Sequence, residues 1–435
     1  MTTEKKAIRP ADRDAILQAL TAGVVPRIGL QHIQVGRFGE ITAITRDIER
    51  FAAGGTAIRF MICEYGAGKT FLMFLLRSIA LEKRLVTAHA DLGPDRRIYS
   101  RGGEARNLYQ EAVRNLATRS KPGGGALQSI VERFVGDAIV AAKTLGKSPE
   151  TVISERLAPL QDLVGGYDYV TVLAAYARGH INDQPTLCTD ALRWLRGEFT
   201  TKTDARAALA VRTFIDDSNV YDSLKLLGAF VRVAGYAGLL VVFDELVNLY
   251  KLQHAQSRNQ NYEQILRILN DVLQGDVSGF GVLLGGTPEF LMDSRRGLYS
   301  YDALRSRLAE NPFAKNGLVD LSGSVVRLAN LTPEDLLVLL ENIRRVFDAN
   351  TDRTIVPDEA IAAFMAHCRT QIGDEYFRTP RNSVKAFVQL LSVIEQNPTA
   401  DWRALLGQVR IEHDTAAKLD TSGGADDDDL TTFKL

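Results

Sequence analysis

The sequence predicts an α/β fold with a parallel β-sheet, a long helical insertion and an all-helical C-terminal region. Three observations lead to this prediction. Four apolar runs, residues 57–62, 85–92, 239–243 and 279–286, have the unbroken character of strands buried on both faces. Mostly helical patterns fill the long segment of residues 95–220. From residue 327 onwards only helical patterns remain, opening with Thr332, Pro333 and two acidic residues, a typical helix start.

The most specific motif follows the first apolar run. It reads Cys63-Glu64-Tyr65-Gly66-Ala67-Gly68-Lys69-Thr70, and a helix-compatible run starts at Phe71. A strand, a glycine-bearing turn, Gly-Lys-Thr and a helix form the phosphate-binding loop of P-loop NTPases. Backbone N–H groups of the turn and the helix N-terminus bind phosphate oxygens. Lys69 is expected to reach the β- and γ-phosphates, and the Thr70 hydroxyl to hold Mg²⁺.

One position departs from this motif. The pattern G-x-x-x-x-G-K-[ST] has glycine where this chain has Cys63. A non-glycine residue with positive φ costs about 1 kcal/mol or more, so we expect a tolerable strain at Cys63. A chance Gly-Lys-Thr in a surface turn is the alternative, and the strand and helix signals on both sides argue against it.

The apolar run 239–243 ends in Asp244 and Glu245, the second half of a nucleotide site. In a parallel sheet these carboxylates emerge at the carboxyl edge, where α/β proteins bind ligands. Asp244 is expected to hold Mg²⁺ through water, and Glu245 to polarise the attacking water as general base. A hydrophobic run ending in Asp-Glu is weak by itself, but it complements the Lys69 loop. Together the two motifs predict an ATPase.

Val35-Gly36-Arg37, ahead of the loop, resembles the adenine-side box of the origin-recognition-like and STAND branches of the AAA+ ATPases. The resemblance implies that the Gly-Arg turn lies against the base and that the next helix frames the pocket. An ordinary loop-to-helix junction is the alternative. The expected nucleotide-binding residues are therefore Val35, Gly36, Arg37, Glu64, Tyr65, Gly66, Ala67, Gly68, Lys69, Thr70 and Phe71.

The AAA+ resemblance implies roles for four more residues. Thr287 takes the sensor 1 position, where a side chain orients the lytic water or the γ-phosphate; a plain strand-ending turn is the alternative. Arg305 and Arg307 are candidates for an arginine finger that reaches a neighbour's γ-phosphate, although either could make a structural ion pair. Arg381, in the first turn of a helix, takes the sensor 2 position, and the positive helix end there favours a bound anion beside it.

These motifs suggest four regions. Residues 1–45 would hold the N-terminal helix and adenine-side box, and residues 46–320 the ATPase core with an insertion at about 95–220. Residues 321–415 would form a helical lid, which could be winged-helix-like, and residues 416–435 a disordered acidic tail. Residues 191–198, within the insertion, have the pattern of an amphipathic helix with a solvated basic face.

The overall charge limits the nature of the partners. Lys and Arg number 52 against 53 Asp and Glu, a net charge of -1, so DNA contact would need a local basic patch. The basic pairs are Lys83-Arg84, Arg295-Arg296 and Arg344-Arg345, and such pairs are usually solvated. Three widely separated cysteines favour a reducing cytoplasm, and no apolar run is long enough to span a membrane.

Five stretches together resemble the ATP-binding protein family of BREX (bacteriophage-exclusion) and related phage-defence loci. They are Val35-Gly36-Arg37, residues 64–70, residues 191–198, Phe243-Asp244-Glu245 and Thr379-Pro380-Arg381, and the similarity spans about residues 20–410. The resemblance implies an oligomeric AAA+-like ATPase that uses ATP and Mg²⁺ and acts with other defence proteins on DNA. A slow-turnover, STAND-like nucleotide switch that recruits partners is the alternative, and both Cys63 and the helical segment 95–220 suit it. A P-loop kinase or small GTPase would leave the C-terminal helices and the Val35-Gly36-Arg37 box without a role.

Overall fold

A computed structural model describes residues 8–275, 278–314, 318–349 and 354–411 of the chain, so the acidic tail predicted at 416–435 lies outside the described residues. Five parallel strands form one sheet in the order β2-β3-β4-β1-β5. The strands are β1 Thr56–Ile62, β2 Val86–Asp91, β3 Leu239–Asp244, β4 Phe280–Gly286 and β5 Val325–Arg327. The four strands predicted from apolar runs are present, and β5 is the addition.

Helices precede, interrupt and follow the strands. The N-terminal part and the segment after β1 contain α1 Pro10–Thr21, α2 Phe38–Ala52 and α3 Lys69–Glu82. Between β2 and β3 lie α4 Glu104–Arg114, α5 Leu127–Leu145, α6 Pro149–Leu157, α7 Gly166–Ile181, α8 Pro185–Leu195, α9 Lys202–Leu209 and α10 Val220–Val233. Around β4 lie α11 Val247–Tyr250, α12 Ala255–Gln274, α13 Pro288–Met292 and α14 Asp302–Arg307. After β5 follow α15 Pro333–Asp348, α16 Asp358–Ile372, α17 Glu375–Arg378, α18 Arg381–Gln396 and α19 Trp402–Leu406.

The strand order places side by side three strand ends that are followed by predicted site residues. Strand β4 lies between β1 and β3, with Ile62 opposite Gly286 and Phe243 opposite Leu284. On the outer side of β3, Asp91 of β2 lies opposite Asp244. Because every strand runs in the same direction, their carboxyl ends meet at one edge of the sheet.

The inserted helices α4 to α10 share one hydrophobic core with one face of the sheet. Tyr109, Tyr169, Trp194 and Phe230 are buried in that core. Along α8, Ala191, Leu192, Trp194 and Leu195 are buried. Arg193 is exposed and pairs with Asp190 at 3.0 Å, which agrees with the predicted amphipathic pattern. The helix ends at Leu195, so residues 196–198 of the predicted stretch lie beyond it.

Helices α15 to α19 form a second hydrophobic core together with α1. Ile16 of α1 packs in the same cluster as Leu340, Phe364 and Phe387. The start of α15 is a capping box, in which Thr332 Oγ1 accepts from the Asp335 N–H at 3.1 Å and Asp335 Oδ2 accepts from the Thr332 N–H at 3.0 Å. Beyond residue 327, the described residues contain helices and no strand.

The sheet extends past residue 320, at which the sequence suggested that the ATPase core ends. β5 is only three residues long, and Val325 and Val326 are buried against β1. A Val-Val pair is too short for its hydrophobic pattern to reveal a strand. None of the described helices has both the length and the apolar character needed to cross a membrane.

Candidate nucleotide-binding site

The phosphate-binding loop connects β1 to α3 and has the backbone that its glycines allow. Gly66 and Gly68 have φ values of 76° and 90°, in the left-handed region, and Gly68 is the N-cap of α3. The free N–H groups at the start of α3 therefore open into the site.

Cys63 does not carry the expected strain. It is absent from the residues with positive φ, and its N–H donates to the Gly286 carbonyl of β4 at 3.3 Å, so the chain still continues the strand there. Cys63 is 4% exposed, and burial raises the pKa of its thiol to about 11. The prediction of backbone strain at this position is wrong, because the turn of the loop begins after Cys63.

Asp244 joins the two sequence motifs in one buried group. Lys69 Nζ forms an ion pair with Asp244 Oδ1, and Thr70 Oγ1 donates to Asp244 Oδ2 at 2.9 Å. Burial alone would raise the pKa of Asp244, but the charge and hydrogen bond of Lys69, with the Glu245 N–H and the Thr70 hydroxyl, lower it. The carboxylate is thus held in its ionised form between the residues expected to bind phosphate and Mg²⁺.

Glu245 is held in an unusual backbone conformation. Its φ is 59°, in the left-handed region that non-glycine residues seldom adopt, and such strain often accompanies functional sites. The Glu245 N–H donates to Asp244 Oδ1 at 2.7 Å, and the next N–H, of Leu246, donates to the Gly285 carbonyl at 2.9 Å. These two bonds fix the turn that takes Glu245 away from the strand and towards the cavity.

A cavity of about 690 Å³ lies over these residues, a volume suited to a nucleotide-sized ligand. From the predicted set it is lined by Val35, Arg37, Glu64, Tyr65, Gly66, Ala67, Gly68, Lys69, Thr70, Phe71, Asp244, Glu245, Thr287 and Arg381. Its apolar lining includes Ile33 of the N-terminal segment, Leu331 of the segment before α15, and Leu339, Ile343 and Val384 of the C-terminal helices. The polar strand edge would take phosphates, and this apolar lining would take a base.

Gly36 and Arg37 pack differently from the implied contact with a base. Gly36 lies outside the cavity lining, and a Cβ there would lie 3.2 Å from Asp335 Oδ1 of α15. Arg37, with φ of 56°, directs its guanidinium to carbonyl oxygens of the phosphate-binding loop. The residues of this box thus connect the loop to the C-terminal helices.

Thr287 and Arg381 reach the cavity from opposite sides. Thr287 directly follows β4, the strand between β1 and β3, and caps α13, where its Oγ1 accepts from the Phe290 N–H at 3.4 Å. Arg381 is the first residue of α18, and it donates to the Tyr65 hydroxyl at 3.1 Å and to the Gly23 carbonyl at 3.0 Å. The C-terminal helices therefore contact the phosphate-binding loop directly through Arg381.

The two candidate arginine fingers lie outside this cavity, on exposed positions of α14. Arg305 pairs with Asp302 of the same helix at 2.8 Å. Arg307 donates to the Ala303 carbonyl at 3.0 Å. Neither arginine therefore contacts the cavity of this chain.

Comparison with known protein families agrees with this geometry. A family profile described as BREX system ATP-binding protein BrxC/D matches residues 8–410. The chain belongs to this family. No curated protein and no solved structure shows significant similarity to the chain. The family is one of ATP-binding proteins of BREX phage defence, so ATP is the ligand expected in the cavity.

Asp91 is a carboxylate of this BREX family member that the sequence motifs did not single out. It ends β2, lines the cavity, and lies 3.0 Å from His89 Nε2 through its Oδ1. Its side chain is 54% exposed. Partial desolvation of its carboxyl group raises the pKa of Asp91 to about 6, and the nearby negative charges of Asp244 and Glu245 contribute to this increase. Like Asp244, it follows a buried apolar run, and that shared pattern could have identified it.

Magnesium fits the side chains at this edge. The Thr70 hydroxyl and the Asp244 carboxylate are neighbouring groups whose oxygen atoms are of the type that Mg²⁺ prefers as ligands. Within the described ranges, no group of three or more His, Cys, Asp or Glu residues could hold a metal by itself. Since Mg²⁺ commonly uses one or two side chains together with substrate phosphates, this sparse set suits a metal that arrives with ATP.

Gly285 is a second residue that the motifs missed, and it leads to a prediction. A Cβ there would overlap Asp244 Oδ1 and lie 3.0 Å from Met73 Sδ. Gly285→Ala is therefore expected to displace the carboxylate and to weaken Mg²⁺-dependent ATP binding by about tenfold or more. Fluorescent-nucleotide titration with Mg²⁺ would measure this change.

Gly136→Ala is the matched control. Gly136 lies within α5, and nothing is within 4 Å of its hypothetical Cβ. This substitution should leave ATP binding unchanged and raise helix stability by up to about 1 kcal/mol. Equal ATP affinity in both variants would show that a Cβ at position 285 does not disturb the Asp244 carboxylate enough to affect ATP binding.

Proposed function

We propose that this protein is an AAA+-type ATPase of a phage-defence system, which couples ATP binding and hydrolysis to assembly or remodelling on DNA. The observation that supports the proposal best is the hydrogen-bonded group of Lys69, Thr70 and Asp244. These residues come from two motifs far apart in sequence, and Glu245 adjoins them at the same strand edge. That combination supplies phosphate binding, metal binding and a base in one place.

Each residue has a chemical task in the proposed reaction. Lys69 neutralises charge on the transferred phosphoryl group, and Thr70 with Asp244 would hold Mg²⁺, which supplies further charge neutralisation when bound. Glu245 accepts a proton from the attacking water, and Thr287 orients that water or the γ-phosphate. Catalysis of this kind depends on positioning and electrostatic stabilisation, with no covalent intermediate.

We assign the arginine finger to Arg307 and infer a homo-oligomer with shared sites. Arg305 already has a carboxylate partner in Asp302, whereas the described contact of Arg307 is to a carbonyl, which a phosphate would readily replace. Arg307→Ala is expected to lower phosphate release by about 100-fold or more. Arg305→Ala, the matched control, removes one exposed ion pair and should change it by about twofold at most.

Phosphate-release assays at concentrations that favour assembly, with mass photometry of the same samples, would measure both effects. A loss of activity confined to Arg305→Ala would reverse the assignment. Unchanged rates in both variants, in samples that assemble, would remove the shared site from the proposal.

The proposed action on DNA comes from the resemblance to phage-defence ATPases, whereas the description of the matched family names ATP binding alone. Two members of the basic pairs have acidic partners within the protein: Lys83 pairs with Glu49 at 2.7 Å, and Arg344 with Asp358 at 2.6 Å. A DNA role predicts an affinity that falls steeply as salt increases, and phosphate release that changes when DNA is added. Absent binding at low salt would remove DNA from the proposal and leave the ATPase intact.

A slow nucleotide switch is the second candidate, and one observation favours it. The Arg381 contacts to Tyr65 and Gly23 connect the C-terminal helices to the phosphate-binding loop, as a nucleotide-reading lid requires. A switch would change its oligomeric size on binding ATP without measurable phosphate release. Mass photometry with ADP, ATP and a non-hydrolysable analogue, beside a turnover assay, separates the two.

A further inference from the structure

The guanidinium of Arg37 makes three hydrogen bonds, and all of them go to main-chain carbonyl oxygens. Nη2 donates to Ala67 O and, at 3.2 Å, to Ala329 O, while Nη1 donates to Gly68 O at 3.2 Å. The side chain is half-buried, and burial lowers the pKa of Arg37. The partly desolvated guanidinium thus binds the main-chain carbonyl groups of the phosphate-binding loop.

The two loop carbonyls belong to the peptide units that matter most for phosphate binding. The peptide whose carbonyl is Ala67 O has the Gly68 N–H at its other end, and the peptide of Gly68 O has the Lys69 N–H. Because a peptide group is planar with C=O and N–H pointing in opposite directions, fixing the oxygen also fixes the direction of the N–H. The Gly68 and Lys69 N–H groups lie where the loop meets the start of α3, and they are expected phosphate donors.

We propose that Arg37 is a positioning residue that orients the Gly68 and Lys69 N–H groups towards the nucleotide phosphates by holding the carbonyls of the same peptides. Its positive charge also polarises those peptides, which strengthens their N–H groups as donors to an anion. Arg37 thereby strengthens phosphate binding by the loop without contacting the phosphate itself. The proposal deepens the proposed function and rests on nucleotide binding at this loop.

The third hydrogen bond of Arg37, to Ala329 O, connects it to the segment before the C-terminal helices. Ala329 lies between β5 and α15, so Arg37 connects the phosphate-binding loop to the segment that leads into those helices. Asp335 of α15 reinforces the connection, because its carboxylate lies against Gly36. Arg37 therefore contacts both the phosphate-binding loop and the segment that leads into α15.

The positioning role and direct contact with the base predict different losses for Arg37→Ala. A positioning residue affects only ligands with phosphates at the loop: affinity for ADP and ATP should fall by about tenfold or more, while adenosine binding and the ATP-to-GTP affinity ratio stay constant. Contact with the base predicts weaker adenosine binding and a changed ATP-to-GTP ratio. Calorimetric and competition titrations of the full chain with adenosine, ADP, ATP and GTP measure these quantities.

Arg37→Lys separates positioning from direct phosphate contact. Lysine keeps the charge but lacks the planar fork that reaches several carbonyls at once, so it should bind ADP and ATP nearly as weakly as the alanine variant. Recovery of affinity by lysine would overturn the proposal in favour of direct contact. Arg46→Ala, on the helix that Arg37 precedes and outside the cavity lining, is the control and should match the wild type.

Hydrogen exchange gives a readout that does not depend on ligand affinity. In Arg37→Ala without nucleotide, the Ala67 and Leu72 amides, which donate to the Glu64 and Gly68 carbonyls, should exchange faster than in the wild type, while those of β3 remain protected. If the wild type binds ATP, then unchanged amide exchange in the loop of Arg37→Ala, or an ADP affinity of Arg37→Ala equal to that of the wild type, would overturn the role of Arg37 alone. A wild type that binds no adenine nucleotide would instead overturn the proposed function.

Discussion

Glu245→Gln is expected to lower the rate of ATP hydrolysis by about 10²- to 10⁴-fold while ATP affinity stays close to that of the wild type. The amide keeps the size of the side chain and the N–H bond to Asp244 Oδ1, but it cannot accept the proton of the attacking water. Steady-state phosphate release and nucleotide binding, measured on the same samples, would show the separation.

The control for Glu245→Gln is the same change at Glu263, an exposed carboxylate on α12. Glu263→Gln should behave as the wild type in both assays. Wild-type turnover in Glu245→Gln would contradict the general-base role. Equal and negligible turnover in all three proteins would favour the nucleotide switch instead.

Lys69→Met should have the largest effect on binding, with ATP affinity about 100-fold lower or worse, because a charged phosphate contact is lost. The change also leaves the buried Asp244 carboxylate without its cation, and Asp244 is only 1% exposed. Breaking such a pair costs about 3 kcal/mol of unfolding free energy. Urea unfolding monitored by circular dichroism would measure that loss.

The double variant Lys69→Met/Asp244→Asn tests whether the cost comes from the unpaired charge. Neutralising the carboxylate should return most of the lost stability and none of the ATP affinity. If the double variant is as unstable as the sum of its single variants, the two side chains are not coupled, and the ion pair does not explain the loss.

The sheet was largely predictable because four of its strands are unbroken apolar runs, and a parallel strand buried on both faces needs such a run. The Lys69 loop and Asp244 carry local signals, since glycine conformations and a strand-ending carboxylate are properties of neighbouring residues. The helix start at Thr332 was likewise legible from its capping and charge pattern, whereas α18 begins at Arg381 without a side-chain cap.

Other features depend on contacts between distant segments and leave no local signal. The three carbonyl partners of Arg37 lie 30 or more residues away, and Gly285 matters only because Asp244 lies against it across two neighbouring strands. The prediction of backbone strain at Cys63 was wrong for a related reason. The motif identifies the position, but the bond to Gly286 determines its backbone.

The most direct test of one shared site is the effect of Mg²⁺ on ATP binding in the wild type and in Asp244→Asn. If the Lys69 loop and the Asp244 strand end form a single nucleotide site, Mg²⁺ should tighten ATP binding by the wild type, and this tightening should be lost in Asp244→Asn. The same Mg²⁺-dependent gain in both proteins would contradict the account, because the metal would then be held without Asp244.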